Sequence, residues 1–149
     1  MGRKPESKSK LSSFELGDMI LTYWLGEESH LAGLSLVPRD LAGLTCSKPC
    51  RIEPLVQLKL ARDDYAGDFS QGRTLRGGES TQKMLYKSQR VFRESTRTCI
   101  ETCMEDGRGF ACTHRLYHTE NAGFVTVSTS FENGSNHPAM LEMLSSFTL

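Results

Sequence analysis

The amino-acid sequence predicts a small α+β domain. In it, an antiparallel sheet that includes a C-terminal hairpin is packed by a long central helix and by N- and C-terminal helices. Three observations favour this class: the 149 residues suit a single core, apolar residues recur at helical spacing in several segments, and other segments alternate as strands do. Residues 1–11 are polar and basic, so we expect a flexible basic tail ahead of one domain over residues 12–149.

The first predicted element is a helix over residues 12–25. Ser12 and Glu15 have the spacing of a capping box. Apolar side chains then follow at intervals of three and four residues, which is the period of one helix face. Gly26 is a natural end for this helix.

The middle of the chain predicts short elements. The stretch "LSLV" at 34–37 is typical of a short strand, and Pro38 suits the first turn of a short helix. Residues 55–61, "LVQLKLA", alternate apolar and polar side chains. This pattern predicts a strand with one buried face and one solvent-exposed face, and Gln57 and Lys59 lie on the exposed face.

The C-terminal half contains the longest predicted helix and the clearest hairpin. Residues 80–106 are interpreted as a helix that ends at Gly107. Residues 110–118 and 124–131 are predicted strands, because a short connection containing Asn and Gly joins them. Residues 138–147 predict a C-terminal helix that begins at a proline.

Charge is distributed unevenly along the chain. The 18 basic and 18 acidic residues sum to zero, yet residues 73–98 hold seven basic residues and two glutamates, a net charge of +5. On a helix these cations would form a stripe opposite an apolar face. Such a stripe is either an ordinary solvated face or a surface that binds polyanions. The candidate polyanion-binding residues are Arg73, Arg76, Lys83, Lys87, Arg90, Arg93 and Arg97.

The stripe predicts a non-enzymatic binding module that contacts nucleic acid, an anionic surface or another polyanionic partner. One alternative is a structural or assembly protein, of matrix type or oligomerising, that binds a protein partner or itself through apolar surface near Tyr23 and Trp24. A third hypothesis, a small enzyme built around Cys112 and His114, has less support because no complete catalytic motif accompanies this pair.

One short stretch, "TRTCIETCMEDGRGFACTHRLYH", concentrates cysteine and histidine. Cys99 and Cys103 are four residues apart on the predicted helix, and Cys112 and His114 are two apart on the predicted strand. These four side chains would be a conceivable zinc site, whereas His118 is too far along the strand to share it. Because the two helix cysteines fall within the apolar face, the sequence favours core cysteines, with no metal ligands and no cofactor.

Location in the cell is predicted from what the sequence contains and what it lacks. No secretory signal and no transmembrane segment is evident. Five cysteines is an odd number, which favours reduced thiols. We therefore expect a cytoplasmic or nuclear protein.

Overall fold

The computed structural model describes residues 7–27, 30–43, 52–63 and 77–147, and these residues form mainly β-strands in three sheets. The longest helix among them has five residues, so the predicted α+β fold packed by long helices is wrong. The elements, in chain order, are β1 (Lys8–Leu16), β2 (Met19–Gly26), β3 (Ala32–Pro38), a 3₁₀ helix (Arg39–Leu41), β4 (Leu58–Leu60), α1 (Glu79–Lys83), β5 (Leu85–Glu94), β6 (Arg97–Glu105), β7 (Phe110–Thr119), β8 (Val125–Asn133) and β9 (Leu141–Leu144).

The first sheet has the antiparallel order β1-β2-β3. The predicted helix over residues 12–25 is instead the β1–β2 hairpin. The two residues Gly17 and Asp18 make its turn, and Gly17 has a φ of 64°, which glycine adopts without strain. Strand β3 contains the predicted "LSLV" strand, and the 3₁₀ helix follows Pro38 directly.

The second sheet is a four-stranded meander, β5-β6-β7-β8. The predicted helix over residues 80–106 is divided between α1, β5 and β6, with a turn at Ser95, whose φ is 57°. The predicted hairpin over residues 110–118 and 124–131 is confirmed as β7 and β8. Its turn contains Asn121 at a φ of 61°, a conformation that Asn tolerates better than most residues.

The two larger sheets pack face to face as a sandwich. Leu21 and Tyr23 of the first sheet belong to the same buried cluster as Ile100 and Leu116 of the second. Each of these four side chains is at most 1% exposed. Burial of apolar side chains from both sheets is therefore the main source of stability in this part of the chain.

Strands β4 and β9 form a small third sheet. The strand predicted over residues 55–61 is only three residues long, and the helix predicted over residues 138–147 is replaced by β9. Gln57 and Lys59 are buried rather than solvent-facing. The Lys59 ammonium is paired with the carboxylate of Glu142 on β9, which offsets the cost of burying its charge.

A buried polar network holds α1 against the turn between β6 and β7. The Asp63 carboxylate accepts hydrogen bonds from the Ser80 hydroxyl (2.8 Å) and the Leu60 N–H (2.9 Å). The Arg108 guanidinium donates to the Ser80 hydroxyl at 2.8 Å and to the Asp106 carboxylate at 2.7 Å. Each buried carboxylate therefore has several donors, as burial requires.

Strand β1 begins at Lys8, so residues 8–11 of the predicted tail belong to a strand. Other predictions lie outside the described residues: the rest of the tail at 1–6, and the site residues Arg73 and Arg76. Among the helices that are described, none is long and apolar enough to cross a membrane.

Candidate functional site

The predicted basic stripe does not follow one helix face. Lys83 ends α1, and Lys87, Arg90 and Arg93 lie on β5. Arg97 begins β6. Successive residues of a strand point to opposite faces, so Arg90 and Arg93, three residues apart, lie on opposite sides of the sheet. The single line of cations that a helix would make is therefore absent from this region.

Each of these five cations is also paired with a carboxylate. Individual surface ion pairs contribute little stability, but together these five carboxylates offset much of the charge of the five cations. A polyanion would have to displace them to reach the cations. The pairs, all within 3.1 Å, are Lys83–Glu79, Lys87–Glu105, Arg90–Glu101, Arg93–Glu120 and Arg97–Glu94.

One of these ion pairs belongs to a row of three charged side chains, which crosses three strands on the outer face of the second sheet. Glu101 lies on β6 between Arg90 on β5 and Arg115 on β7. Its two oxygens accept hydrogen bonds from Arg90 (2.5 Å) and Arg115 (2.6 Å). The hydrogen bond from Arg90, reinforced by Arg115, holds the pKa of Glu101 below its usual range. This carboxylate is fully engaged, so its role is to tie the strands together.

The four candidate zinc ligands do not meet. Cys99 and Cys103 have odd numbers on β6 and point to the outer face of the sheet. Cys112 and His114, opposite Met104 and Thr102, point to the inner face. The sheet itself separates the two pairs. Within the described ranges, no group of three or more His, Cys, Asp or Glu side chains is placed to hold a metal ion.

Cys112 and His114 are also poorly suited to nucleophilic catalysis. Both are fully buried, and burial raises the pKa of the Cys112 thiol to about 12. Burial lowers the pKa of His114 to about 4. Neither ring nitrogen of His114 has a hydrogen-bond partner among the residues described, and the nearby main chain of Ser146 offsets little of this penalty. A protonated, buried thiol is inert, so these side chains are part of the core.

The two aromatic side chains of the expected assembly surface, Tyr23 and Trp24, both contact other parts of the chain. Tyr23 is fully buried in the sandwich. Trp24 is half-buried, its indole N–H donates to the Ser35 hydroxyl at 2.9 Å, and the ammonium of Lys8 lies 4.7 Å from its ring centre. Both aromatic side chains are therefore committed to contacts within the chain.

Sequence reasoning missed a different feature, the outer edge of β8. This strand, "VTVSTSFEN", ends the second sheet and pairs with β7 without a register shift. It contains no proline, glycine, lysine or arginine, and five of its nine residues are Val, Thr or Phe, which have high β-propensity. A regular, nearly uncharged edge strand of nine residues is a template for pairing with another strand.

The hydrogen-bond direction shows which backbone groups of β8 point away from β7. Gly134 donates its N–H to the carbonyl of Gly109 (2.9 Å), in the same register as the β7–β8 ladder. Because direction alternates along a strand, even-numbered residues of β8 point their backbone groups at β7. The odd-numbered residues from Val125 to Asn133 point theirs outward. In the part of the chain that is described, these outward groups have no hydrogen-bond partner.

The edges formed by β1 and β5 are protected against such pairing. Strand β1 carries two lysines and has a register shift between Lys10 and Ser12. Strand β5 carries three cations and has a register shift between Tyr86 and Ser88. Charges and bulges of this kind are the usual means by which proteins block edge-to-edge pairing.

The edge of β3 is covered by the chain itself. Leu55 donates its N–H to the Ala32 carbonyl at 2.7 Å. The covering segment crosses Gly33 so closely that a Cβ there would lie 2.5 Å from Ile52 Cγ2 and 2.6 Å from the Glu53 carbonyl oxygen. Glycine is therefore required for this close approach. Of the four outer edges of the two larger sheets, the edge of β8 has no bulge and no lysine or arginine. Among the residues described, the Thr129 hydroxyl donates to the Ser146 carbonyl at 3.4 Å, but no chain is hydrogen-bonded to the outward backbone groups of this edge.

Comparison with known proteins identifies no relative: the chain matches no protein-family model, no curated protein and no solved structure.

Proposed function

We propose that this chain is a non-enzymatic interaction module that binds an extended segment of a protein partner along the edge of β8. The observation that carries the proposal is the row of outward backbone groups on the odd-numbered residues of β8. Strand addition satisfies such groups with main-chain hydrogen bonds, and it is a common mode of peptide recognition.

The side chains of β8 also favour an added strand. Val125, Val127 and Phe131 pack against the core but stay half-buried, whereas Leu116 and Cys112 on neighbouring β7 are fully buried. The apolar side chains of β8 are thus less fully buried than those of the neighbouring strand β7. A strand added beside β8 would cover these three apolar side chains, which adds a hydrophobic contribution to the hydrogen bonds.

Polyanion binding through Lys83, Lys87, Arg90, Arg93 and Arg97 stays a prediction. The ion pairs described above weigh against it, because a phosphate backbone would have to compete with five carboxylates already in place. Strand addition at β8 requires no such displacement.

The proposal is tested with a synthetic peptide of the sequence VTVSTSFEN carrying two added lysines for solubility. We expect it to bind the wild-type chain, as measured by isothermal titration. Thr129→Pro removes one outward N–H while leaving the hydrogen bonds to β7 intact, since proline is tolerated at an edge strand where its nitrogen faces solvent. We expect this variant to bind at least about tenfold more weakly.

Thr129→Val is the matched control, because it keeps the backbone N–H and the branched side-chain shape, so its affinity should stay near the wild-type value. Circular dichroism of both variants establishes that the sandwich is folded. Absence of peptide binding at concentrations where the wild-type chain is monomeric, or equal binding by the proline and valine variants, would refute strand addition at β8.

A further inference from the structure

We infer that the strand bound at this edge is β8 of a second copy of the chain, paired antiparallel about a two-fold axis at Thr129. This inference rests on the proposed function, since it uses the same edge. It goes further by naming the partner, the direction and the register. A two-fold dimer needs a surface that is complementary to itself, and β8 has that property in both its backbone and its side chains.

The backbone of β8 suits this register. With Thr129 facing its own copy, every odd-numbered residue from Val125 to Asn133 faces an odd-numbered residue of the partner strand. These are the residues whose backbone groups point outward. Each opposed odd-numbered pair can therefore exchange two hydrogen bonds, as in a regular antiparallel ladder. The two four-stranded sheets would join into one.

The side chains of β8 suit the same register. On the inner face, Val127 lies opposite Phe131 of the second copy, and Thr129 lies opposite itself. On the outer face, Ser128 lies opposite Ser130 of the second copy. Aromatic with β-branched and Thr with Thr are favourable cross-strand pairs.

Charge does not oppose this arrangement. Glu132 is the sole charged residue of β8. In this register it faces Thr126 of the second copy, so the two Glu132 carboxylates lie at opposite ends of the ladder. At roughly 3.4 Å per residue the two carboxylates are about 20 Å apart along the ladder. At this distance, salt largely screens the repulsion between exposed charges.

The register is tested by disulfide cross-linking. Ser128 and Ser130 are exposed on the outer face, so cysteines there leave the core intact. In the inferred dimer, S128C/S130C places each new cysteine opposite one of the second copy in a non-hydrogen-bonded pair. There the Cα atoms are about 4.5 Å apart, within disulfide range. The control T126C/S128C also has two exposed cysteines on β8, but none faces another across the two-fold axis.

Under mild oxidation we expect S128C/S130C to form a reducible covalent dimer, while T126C/S128C and the wild-type chain stay largely uncross-linked. Sedimentation should show that the reduced wild-type chain is a dimer that dissociates on dilution, and that Thr129→Pro dissociates at a concentration at least about tenfold higher. Equal cross-linking of the two cysteine pairs, or a wild-type chain that is monomeric at every concentration, overturns the inference. A wild-type chain that is always monomeric but binds the peptide would support the proposed function and refute the dimer, whereas a monomeric chain that does not bind the peptide would refute both.

Discussion

Replacing Asp106 with alanine is expected to lower the free energy of unfolding by about 3 kcal/mol. The Asp106 carboxylate is fully buried and accepts three hydrogen bonds, from the N–H groups of Arg108 (2.8 Å) and Phe110 (3.0 Å) and from the Arg108 guanidinium (2.7 Å). Its loss leaves these donors without their acceptor in the turn between β6 and β7, and it frees the arginine that reaches Ser80.

Asp106→Asn is the matched control for this variant. Asparagine keeps one side-chain oxygen for the backbone N–H groups but loses the charge that faces Arg108. We therefore expect a loss of stability between those of wild type and Asp106→Ala, measured by urea unfolding. If alanine and asparagine cost the same, the turn depends on the charge alone; if neither costs more than a few tenths of a kcal/mol, the account of this network is wrong.

Acidification is expected to destabilise the chain through His114. Burial lowers the pKa of this imidazole to about 4, from 6.5 when it is exposed, and the main chain of Ser146 opposes only part of this shift. Protonation therefore favours the unfolded chain. The stability associated with neutral His114 is complete above pH 6.5 and is lost as the pH falls from there toward 4. At about 1.4 kcal/mol for each unit of pKa difference, the full loss is about 3 kcal/mol.

The contribution of His114 is isolated by comparison with His114→Gln, because glutamine does not titrate. Unfolding free energies measured between pH 7 and pH 4.5 should fall more steeply for wild type than for this variant. Carboxylates contribute less to the slope of the unfolding free energy against pH above pH 4.5, because in the unfolded chain they titrate near pH 4. Parallel pH profiles for the two proteins would show that His114 is not buried as described.

The sequence predicted the β7–β8 hairpin because both local signals agreed there: strand-like residues and a short connection with Asn and Gly. It failed over residues 12–25, where apolar residues at helical spacing mask the two-residue turn signal of Gly17 and Asp18, and over residues 80–106, where the turn residues Ser95 and Thr96 are less distinctive. At Gly17 and Ser95 the chain reverses within two residues. Apolar side chains on either side of such a turn can imitate helical spacing, although within each strand they alternate. This spacing predicted helices in both segments, and the wrong fold class followed from those helices.

The same error determined the predicted site. At a helical period Lys83, Lys87, Arg90 and Arg97 share a face, whereas at the strand period they do not. Their carboxylate partners are mostly distant in sequence, as Glu101 is from Arg90 and Glu120 is from Arg93, so composition within one segment could not show that the charges are paired. The separation of Cys99 and Cys103 from Cys112 and His114 also follows from the alternation of strand side chains.

The sequence contains one signal that is typical of an unprotected edge strand at β8. The stretch from Val125 to Phe131 has no proline, glycine or charge, unlike the charged segment that became β5. What the sequence could not supply is the sheet order. Only with β8 at the end of the second sheet does this stretch become an open edge rather than a central strand.

Amide hydrogen exchange along β8, resolved by residue in a dilute sample, tests the open edge most directly. We expect the N–H groups of the even-numbered residues from Thr126 to Glu132 to exchange slowly, since they are bonded to β7. The odd-numbered ones from Val125 to Asn133 should exchange quickly, and they should become protected as the protein concentration rises or the peptide is added. Slow exchange of the odd-numbered amides at every dilution, without added peptide, would show that the edge is already covered within one chain and would contradict the account.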